Sequence, residues 1–175
     1  FLSSGYLLMN KIESSSTNGS DKTNSILISY LKKITHLYII WTIVYLPITI
    51  YYYIIEHYSF KRAVLNFIQG FIFIGEHYNS WILWYLLATI FAIIFILALN
   101  RLHIKLKTIC LIGIIIFIIS CLLGILIGYS GPVRYSLRLI KKLIAHTFVN
   151  PRIFSGFLYI PMGMLLKTKR LNSIV

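Results

Sequence analysis

Acidic residues are the scarcest feature of this 175-residue sequence, with 4 Asp and Glu against 17 Lys and Arg. Charged residues of both signs make up only 12% of the chain, whereas apolar residues make up 58% and the mean hydropathy is +0.82. So few polar groups cannot cover the surface of a water-soluble fold of this length. The composition therefore argues against a soluble domain and predicts a polytopic membrane protein.

Cysteine is almost absent, and several chemical motifs are missing altogether. Cys110 and Cys121 are 11 residues apart in one apolar run, about 16 Å along a helix, which is too far for a disulfide. The sequence has no HExxH or CxxC metal pattern, no GxSxG nucleophile elbow and no P-loop. These absences argue against a zinc site, a soluble-type hydrolase and an NTPase. We expect no bound cofactor and no metal.

The net charge of +13 raises the question of nucleic-acid binding. A basic surface indicates nucleic acid when it is clustered on a soluble face. Here Lys and Arg collect at the ends of apolar runs, as the positive-inside rule expects of membrane proteins. The predicted partner is the lipid bilayer, and we expect no nucleic acid.

Long uncharged runs are what the chain does contain. Leu37–Ile55 and Trp81–Leu99 each extend over 19 residues without a charged side chain, and Ile109–Tyr129 extends over 21. At about 1.5 Å per residue these lengths approach the roughly 30 Å hydrocarbon thickness of a bilayer. Each run predicts a transmembrane helix, the first of them within the stretch from Tyr30 to Tyr53.

Shorter segments complete the predicted fold. Ile153–Leu166 is a weaker apolar run, interrupted by Gly and Pro, that predicts a fourth spanning helix kinked at Pro161. Phe67–Ile74 is too short to span, so it is re-entrant, interfacial or a short buried helix. Residues 11–25 form a polar linker without an apolar period, and residues 130–150 contain an amphipathic loop helix.

The predicted fold class is therefore all-α, a polytopic transmembrane helix bundle with about four spanning helices, a short re-entrant or interfacial helix and an amphipathic helix. Residues 1–175 form a single, partial membrane domain, multi-pass in the cytoplasmic membrane. Phe1–Met9 is apolar but spans only half a membrane, so we expect the chain to begin inside a helix. If Phe67–Ile74 does not cross, the basic clusters at Lys32-Lys33, Arg101–Lys107 and Lys167–Arg170 all lie on one side.

Several segments in order resemble the acyltransferase 3 family of integral-membrane O-acyltransferases. FLSSGYLL (Phe1–Leu8) is similar to the end of the family's second helix, and YLKKITHLYIIWTIVYLP (Tyr30–Pro47) to the entry into its third. Leu83-Trp84-Tyr85-Leu86 matches a Leu-Trp-Tyr-Leu signature, and Phe154–Arg170 is similar to a later helix that carries a Gly and ends in basic residues. The similarity covers most of the chain.

The resemblance implies an enzyme that transfers an acyl group, often acetyl, from a cytoplasmic acyl-CoA donor to a hydroxyl of an extracytoplasmic or cell-envelope carbohydrate. It also implies that a catalytic His precedes Phe1 and that further helices follow Leu166, so this chain would be a fragment without activity of its own. The sequence departs from the family at two places. At His36 many relatives carry Arg or Lys. Before the last helix, where the family has an Arg-Asn-Gly-like sequence, this chain has Asn150-Pro151-Arg152.

Acyl transfer to a hydroxyl needs a general base, and two Glu-His pairs, Glu56-His57 and Glu76-His77, stand at the ends of apolar runs. His77 follows Glu76 at the end of an apolar run, where a neighbouring carboxylate orients an imidazole and raises its pKa. Glu76 and His77 are therefore the candidate catalytic residues. The plainer interpretation is a solvated pair at the membrane interface.

Candidate substrate-binding residues fall into two chemical classes: cations and aromatics. Cations suit the phosphates of an acyl-CoA donor, although they also serve to set membrane topology. The aromatic rings suit substrate stacking, although they also serve as interfacial anchors. The candidates are Lys32, Lys33, Arg101, Trp84, Tyr85 and Arg152. The alternative function is a small transporter or flippase-like bundle for an envelope precursor or lipid, which charged residues at mid-span would favour.

Overall fold

A computed structural model describes residues 1–15, 20–75, 81–129 and 151–172. The described residues form six helices and no β-strand. The helices are α1 (Leu2–Ser15), α2 (Ser20–Ile55), α3 (Phe60–Gln69), which continues as a π-helical turn (Gly70–Ile74), α4 (Trp81–Arg101), α5 (Leu106–Tyr129) and α6 (Pro151–Asn172). The predicted all-α class is confirmed. The amphipathic helix predicted at residues 130–150 lies outside the described residues.

Three of these helices are long and apolar enough to cross a membrane. The qualifying segments are Thr23–Ile55 in α2, Leu83–Arg101 in α4 and Leu106–Leu123 in α5. In α6 the apolar part, Ile153–Thr168, is shorter. The chain is therefore a membrane protein, with three strong candidate spans and a weaker fourth helix as the apolar runs predict.

The predicted polar linker is mostly helical. α1 continues to Ser15 and α2 begins at Ser20, so only residues 16–19 of the segment 11–25 fall outside a described helix. Tertiary contacts explain the difference, because Ile12 is buried and the Glu13 carboxylate lies 4.0 Å from Nζ of Lys167. Asn100 Nδ2 also donates a 2.7 Å hydrogen bond to Oδ1 of Asn24. The polar composition reflects two helix ends facing water rather than an unstructured connection.

The short apolar segment Phe67–Ile74 belongs to a longer helix that begins at Phe60. None of the residues of α3 is fully buried. The helix is too short to span, in agreement with the prediction, and it ends at Gly75, which adopts a left-handed conformation with φ of 67°. A Cβ at Gly75 would lie 2.7 Å from the Trp84 Cα, so the backbone at Gly75 packs closely on the first turn of α4.

α6 is the centre of the bundle, since it packs against α1, α4 and α5. Small residues allow each of these contacts. A Cβ at Gly163 would overlap the Leu2 carbonyl oxygen of α1, and a Cβ at Gly156 would lie 2.6 Å from the Ala88 carbonyl oxygen of α4. In membrane proteins such small residues let helix backbones approach closely, and dispersion contacts then hold the helices together.

Pro161 lies inside α6 without ending it. Proline has no N–H, so the carbonyl group of Phe157, four residues earlier, loses its usual donor. That carbonyl oxygen lies against Gly113 of α5, where any Cβ would overlap it. A neighbouring helix thus packs closely against this carbonyl group. The Gly and Pro residues expected to interrupt this helix are instead points of contact within a continuous one.

α2 and α4 run antiparallel along the full length of α4. Asn24 pairs with Asn100 at one end, whereas Tyr38 packs in a cluster with Leu83 and Leu86 at the other. α1 and α6 end together, since Glu13 meets Lys167. Ile12 and Met164 pack in one cluster with Ile96 near the end of α4, so all three helices end at the same level. We call this end, with Arg101, His103, Lys105, Lys107 and Lys167, the basic end of the bundle.

The basic end predicts an orientation that cysteine labelling can test. Thr108 is exposed at the basic end, whereas Ser59 is exposed beyond the far end of α2. After Cys110 and Cys121 are replaced, we expect a membrane-impermeant maleimide to label Ser59→Cys in intact cells. It should label Thr108→Cys only after permeabilisation, because basic ends face the cytoplasm. Labelling of both cysteines from the same side would contradict this topology.

Candidate functional site

The predicted site residues do not form one cluster. Lys32 and Lys33 are exposed on α2, and Arg101 is exposed at the end of α4. Trp84 and Tyr85 are half-buried near the start of α4. The backbone of Arg152 lies in the first turn of α6, while its side chain, together with Glu76 and His77, falls outside the described residues. The lysines and the two aromatic residues therefore lie in separate parts of the structure.

Trp84 and Tyr85 belong to an aromatic cluster inside the bundle. The ring of Phe1 lies 4.5 Å from that of Tyr85 and 5.8 Å from that of Trp84, between ring centroids. The hydroxyl oxygens of Tyr85 and Ser4 are 2.6 Å apart and share a hydrogen bond. The Tyr30 hydroxyl of α2 also lies near Ser4, so three hydroxyl groups meet at this point.

The aromatic cluster joins α1, α2 and α4, and its contacts are satisfied within the protein. Sequence reasoning selected Trp84 and Tyr85 but missed Phe1, Ser4 and Tyr30, because no spacing rule links residues on three helices. Phe1 and Ser4 belong to Phe1–Leu8, a segment that carries the family resemblance, as Leu83–Leu86 does. The structure brings these two segments together. Their joint packing supports a structural role for these aromatic residues.

This role predicts the effect of truncating Trp84. We expect Trp84→Ala to destabilise the solubilised protein by about 2 kcal/mol, because it removes the ring packed on Phe1. Trp41→Ala is the matched control, since Trp41 is exposed and contacts only its helix neighbour Tyr45 among the described rings. The stabilities of the two variants are compared by thermal unfolding, which is monitored by size-exclusion chromatography. Normal stability of Trp84→Ala would place Trp84 outside the structural core.

Lys32 and Lys33 belong to a polar stripe on the face of α2 that lies away from the aromatic cluster. Five exposed side chains share this face at helical spacing, namely Ser25, Ser29, Lys32, Lys33 and His36. We call them the α2 stripe. At 100° per residue the α2 stripe lies opposite the buried face formed by Leu27, Ile34 and Tyr38. The lysines therefore point away from the other described helices and away from Trp84 and Tyr85.

The depth of the α2 stripe is its unusual property. The sequence predicts Lys32 and Lys33 at the entrance of a span, but α2 begins at Ser20 and packs on α4 from Asn24 to Tyr38. Lys32 is eight residues, or about 12 Å, along α2 from Asn24. The lysines thus lie beside the middle of α4, about 12 Å along α2 from the level of Asn100, and their side of the membrane stays a prediction.

Charge at this depth has an energetic consequence. The span Leu83–Arg101 of α4 has 19 residues, a length of about 28 Å that matches the hydrocarbon core of a bilayer. A lysine at mid-depth against lipid costs about 2.5–3.5 kcal/mol on insertion scales, and such residues normally face water, a partner group or a substrate. The α2 stripe is therefore the strongest candidate site among the described residues.

Comparison with known proteins adds no assignment. No protein-family model matches the sequence, and neither the curated proteins nor the solved structures contain a significant match to it.

Proposed function

We propose that the protein is a membrane-bound O-acyltransferase of the cytoplasmic membrane. It transfers an acyl group, most simply acetyl, from a cytoplasmic acyl-CoA donor to a hydroxyl group of a cell-envelope polysaccharide. The observation that carries this proposal is the cationic α2 stripe at mid-depth, with Lys32, Lys33 and His36 exposed on one face. The resemblance of the sequence to acyltransferase 3 proteins supports the same reaction.

The chemistry of the donor explains why cations at this depth favour acyl transfer. Coenzyme A carries several phosphate oxygens, which bind Lys, protonated His and hydroxyl groups through charge-assisted hydrogen bonds. Its thioester has to approach an acceptor on the other side of the membrane. A donor held only at the basic end would leave most of the bilayer between the thioester and the acceptor, whereas Lys32 and Lys33 shorten that distance.

The proposed reaction is a nucleophilic acyl substitution. The acceptor hydroxyl oxygen attacks the thioester carbonyl carbon, a C–O bond forms, the C–S bond breaks, and coenzyme A leaves as the thiol after taking up a proton. A general base accepts the hydroxyl proton and returns it to the thiolate. Within this chain the candidate for such a base is His77, with Glu76 beside it, in the sequence between Gly75 and Trp81. Arg101 and Arg152 remain candidates for contacts with the donor.

The second candidate function is a flippase-like transporter of an envelope precursor. The same observation favours it, because cations at mid-depth also mark the paths of anionic substrates through membranes. The two functions differ in product. An acyltransferase adds alkali-labile esters to the polysaccharide, whereas a transporter changes only the side of the membrane on which the precursor accumulates.

Expression of the complete protein in bacterial cells separates the two functions. We expect the acetate released from purified envelope polysaccharide by mild alkali to rise, and His77→Ala to lower that release by about 10²–10⁴-fold in rate. Unchanged ester content would contradict acyl transfer. If inactivating variants instead caused an untranslocated precursor to accumulate, the transporter would be supported. Retention of transfer by a folded His77→Ala variant would remove His77 from the mechanism.

A further inference from the structure

The face of α3 that is turned away from α2 carries a cavity of about 670 Å³. Val64 and Phe67 line the space between the two helices, so the cavity lies on the other side of α3. The described residues that line it all belong to the stretch 59–73, which includes α3 and part of the π-helical turn. No other described helix therefore covers this face of α3.

The start of this face is positively charged. Lys61 and Arg62 line the cavity in the first turn of α3, where both are exposed, and Ser59 contributes a hydroxyl group. Residues 60–74 contain no acidic side chain, and Glu56, the acidic residue that precedes them, does not line the cavity. Among the described residues neither cation forms a salt bridge. Two adjacent positive charges therefore share one cavity without a described carboxylate in it.

Membrane topology does not explain these two cations. Helix α2 ends at Ile55, about 46 Å from Asn24 at roughly 1.5 Å per residue. Asn24 pairs with Asn100 beside the basic end. Lys61 and Arg62 follow α2 in the chain and so lie at its opposite end. Because the basic residues that set orientation collect at the cytoplasmic end of a membrane protein, the charge at the start of α3 calls for another explanation.

Exposed apolar side chains accompany the cations on this face. Leu65, Ile68 and Phe73 line the same cavity and are exposed, and the half-buried amides of Asn66 and Gln69 lie among them. The apolar side chains begin about one turn after the cations and extend to about three turns after them. Helices that combine exposed apolar side chains with Lys and Arg bind anionic lipids. The ligand of this face is therefore expected to carry both a negative charge and hydrocarbon.

We propose that this face of α3 binds an anionic phospholipid. The phosphate group contacts Lys61 and Arg62, and the acyl chains lie along Leu65, Ile68 and Phe73. Ammonium and guanidinium groups bind phosphate oxygens through charge-assisted hydrogen bonds. A soluble anion would satisfy the cations alone, and an uncharged lipid would satisfy the apolar side chains alone. The site is separate from the α2 stripe, and the proposal does not rest on acyl transfer.

Photo-crosslinking in vesicles tests this binding. The protein is reconstituted in phosphatidylcholine with a small fraction of phosphatidylglycerol that carries a diazirine in its acyl chain, and crosslinked residues are mapped by mass spectrometry. We expect Leu65 and Ile68 to be labelled several-fold above Ile118 and Leu122, which are exposed in the uncharged run of α5. Excess unlabelled phosphatidylglycerol should lower the labelling of α3 several-fold, whereas phosphatidylcholine and inorganic phosphate should not.

Charge variants make the result specific. Lys61→Gln with Arg62→Gln should lower the labelling of α3 to the level of α5, whereas Lys61→Arg with Arg62→Lys keeps both charges and should retain it. The matched control is Lys105→Gln with Lys107→Gln, which removes the same charge from exposed positions at the basic end and should leave the labelling of α3 unchanged.

Three outcomes would overturn the proposal. Equal labelling of α3 and α5 would show that the face has no preference for the anionic lipid. Equal effects of the two neutralising double variants would show that the net charge of the protein, and not the cations of α3, attracts it. Loss of labelling on addition of inorganic phosphate or of a soluble anionic polysaccharide would assign Lys61 and Arg62 to a soluble anion.

Discussion

Replacing Gly163 by Leu is expected to separate α1 from α6 and to destabilise the bundle by at least about 3 kcal/mol, at the upper end of the range for overpacked sites. A Cβ at Gly163 would overlap the Leu2 carbonyl oxygen and lie 3.0 Å from the Tyr6 backbone nitrogen. Backbone atoms cannot move aside as a flexible side chain does, so the two helices have to part. The effect is measured as the fraction of the protein that is recovered as a monodisperse peak after solubilisation and heating.

Met162→Leu is the matched control for Gly163→Leu. It changes the neighbouring residue of the same helix to the same side chain, but Met162 is exposed. We expect this control to behave as the unmodified protein, because an exposed apolar side chain of similar volume is replaced by another. Equal stability of the two variants would show that α1 and α6 do not cross at Gly163.

Replacing Lys32 and Lys33 together by Gln is expected to raise the KM for the acyl-CoA donor by about 100-fold or more, while the folded protein remains. Each charge-assisted hydrogen bond to a phosphate contributes about 1.5–3 kcal/mol, and about 1.4 kcal/mol corresponds to a tenfold change in affinity. Because both lysines are exposed and point away from the packed face of α2, their loss leaves the core intact. Initial rates of acyl transfer against donor concentration separate KM from kcat.

Lys105→Gln is the control for the lysine pair. It removes a positive charge from the basic end, where Lys105 is exposed between α4 and α5. If donor binding depends on cations at mid-depth, this variant should change KM less than twofold. A similar loss in Lys105→Gln would indicate that general attraction to the basic end holds the donor. An unchanged KM in the double variant would remove the α2 stripe from the site.

Much of the fold follows from hydropathy. The uncharged runs Leu37–Ile55, Trp81–Leu99 and Ile109–Tyr129 predict three long apolar helices, and such helices are present. The boundaries at polar residues are less well predicted, because Lys11–Ser15 and Ser20–Ser25 are helical although no apolar period marks them. Their helical state depends on contacts with α4 and α6, and a local pattern carries no record of such contacts.

The candidate site shows a similar division. Composition and motif order selected Lys32, Lys33, Trp84 and Tyr85, but they did not indicate that the lysines and the aromatic residues lie on opposite faces of α2. The position of the lysines beside the middle of α4 was not indicated either, because an uncharged run locates the apolar part of a helix and not the part that packs on its neighbour. Glu76, His77 and Arg152 stay predictions.

The sequence by itself determined the class of this protein, since 12% charged residues and three long uncharged runs leave the bilayer as the only solvent that suits the chain. Only the tertiary structure decided which helix lies at the centre. Hydropathy ranks α6 as the weakest span, yet α6 contacts α1, α4 and α5. The physical reason is that hydropathy reports contact with lipid, whereas close helix packing depends on small residues such as Gly156 and Gly163, which contribute little to hydropathy.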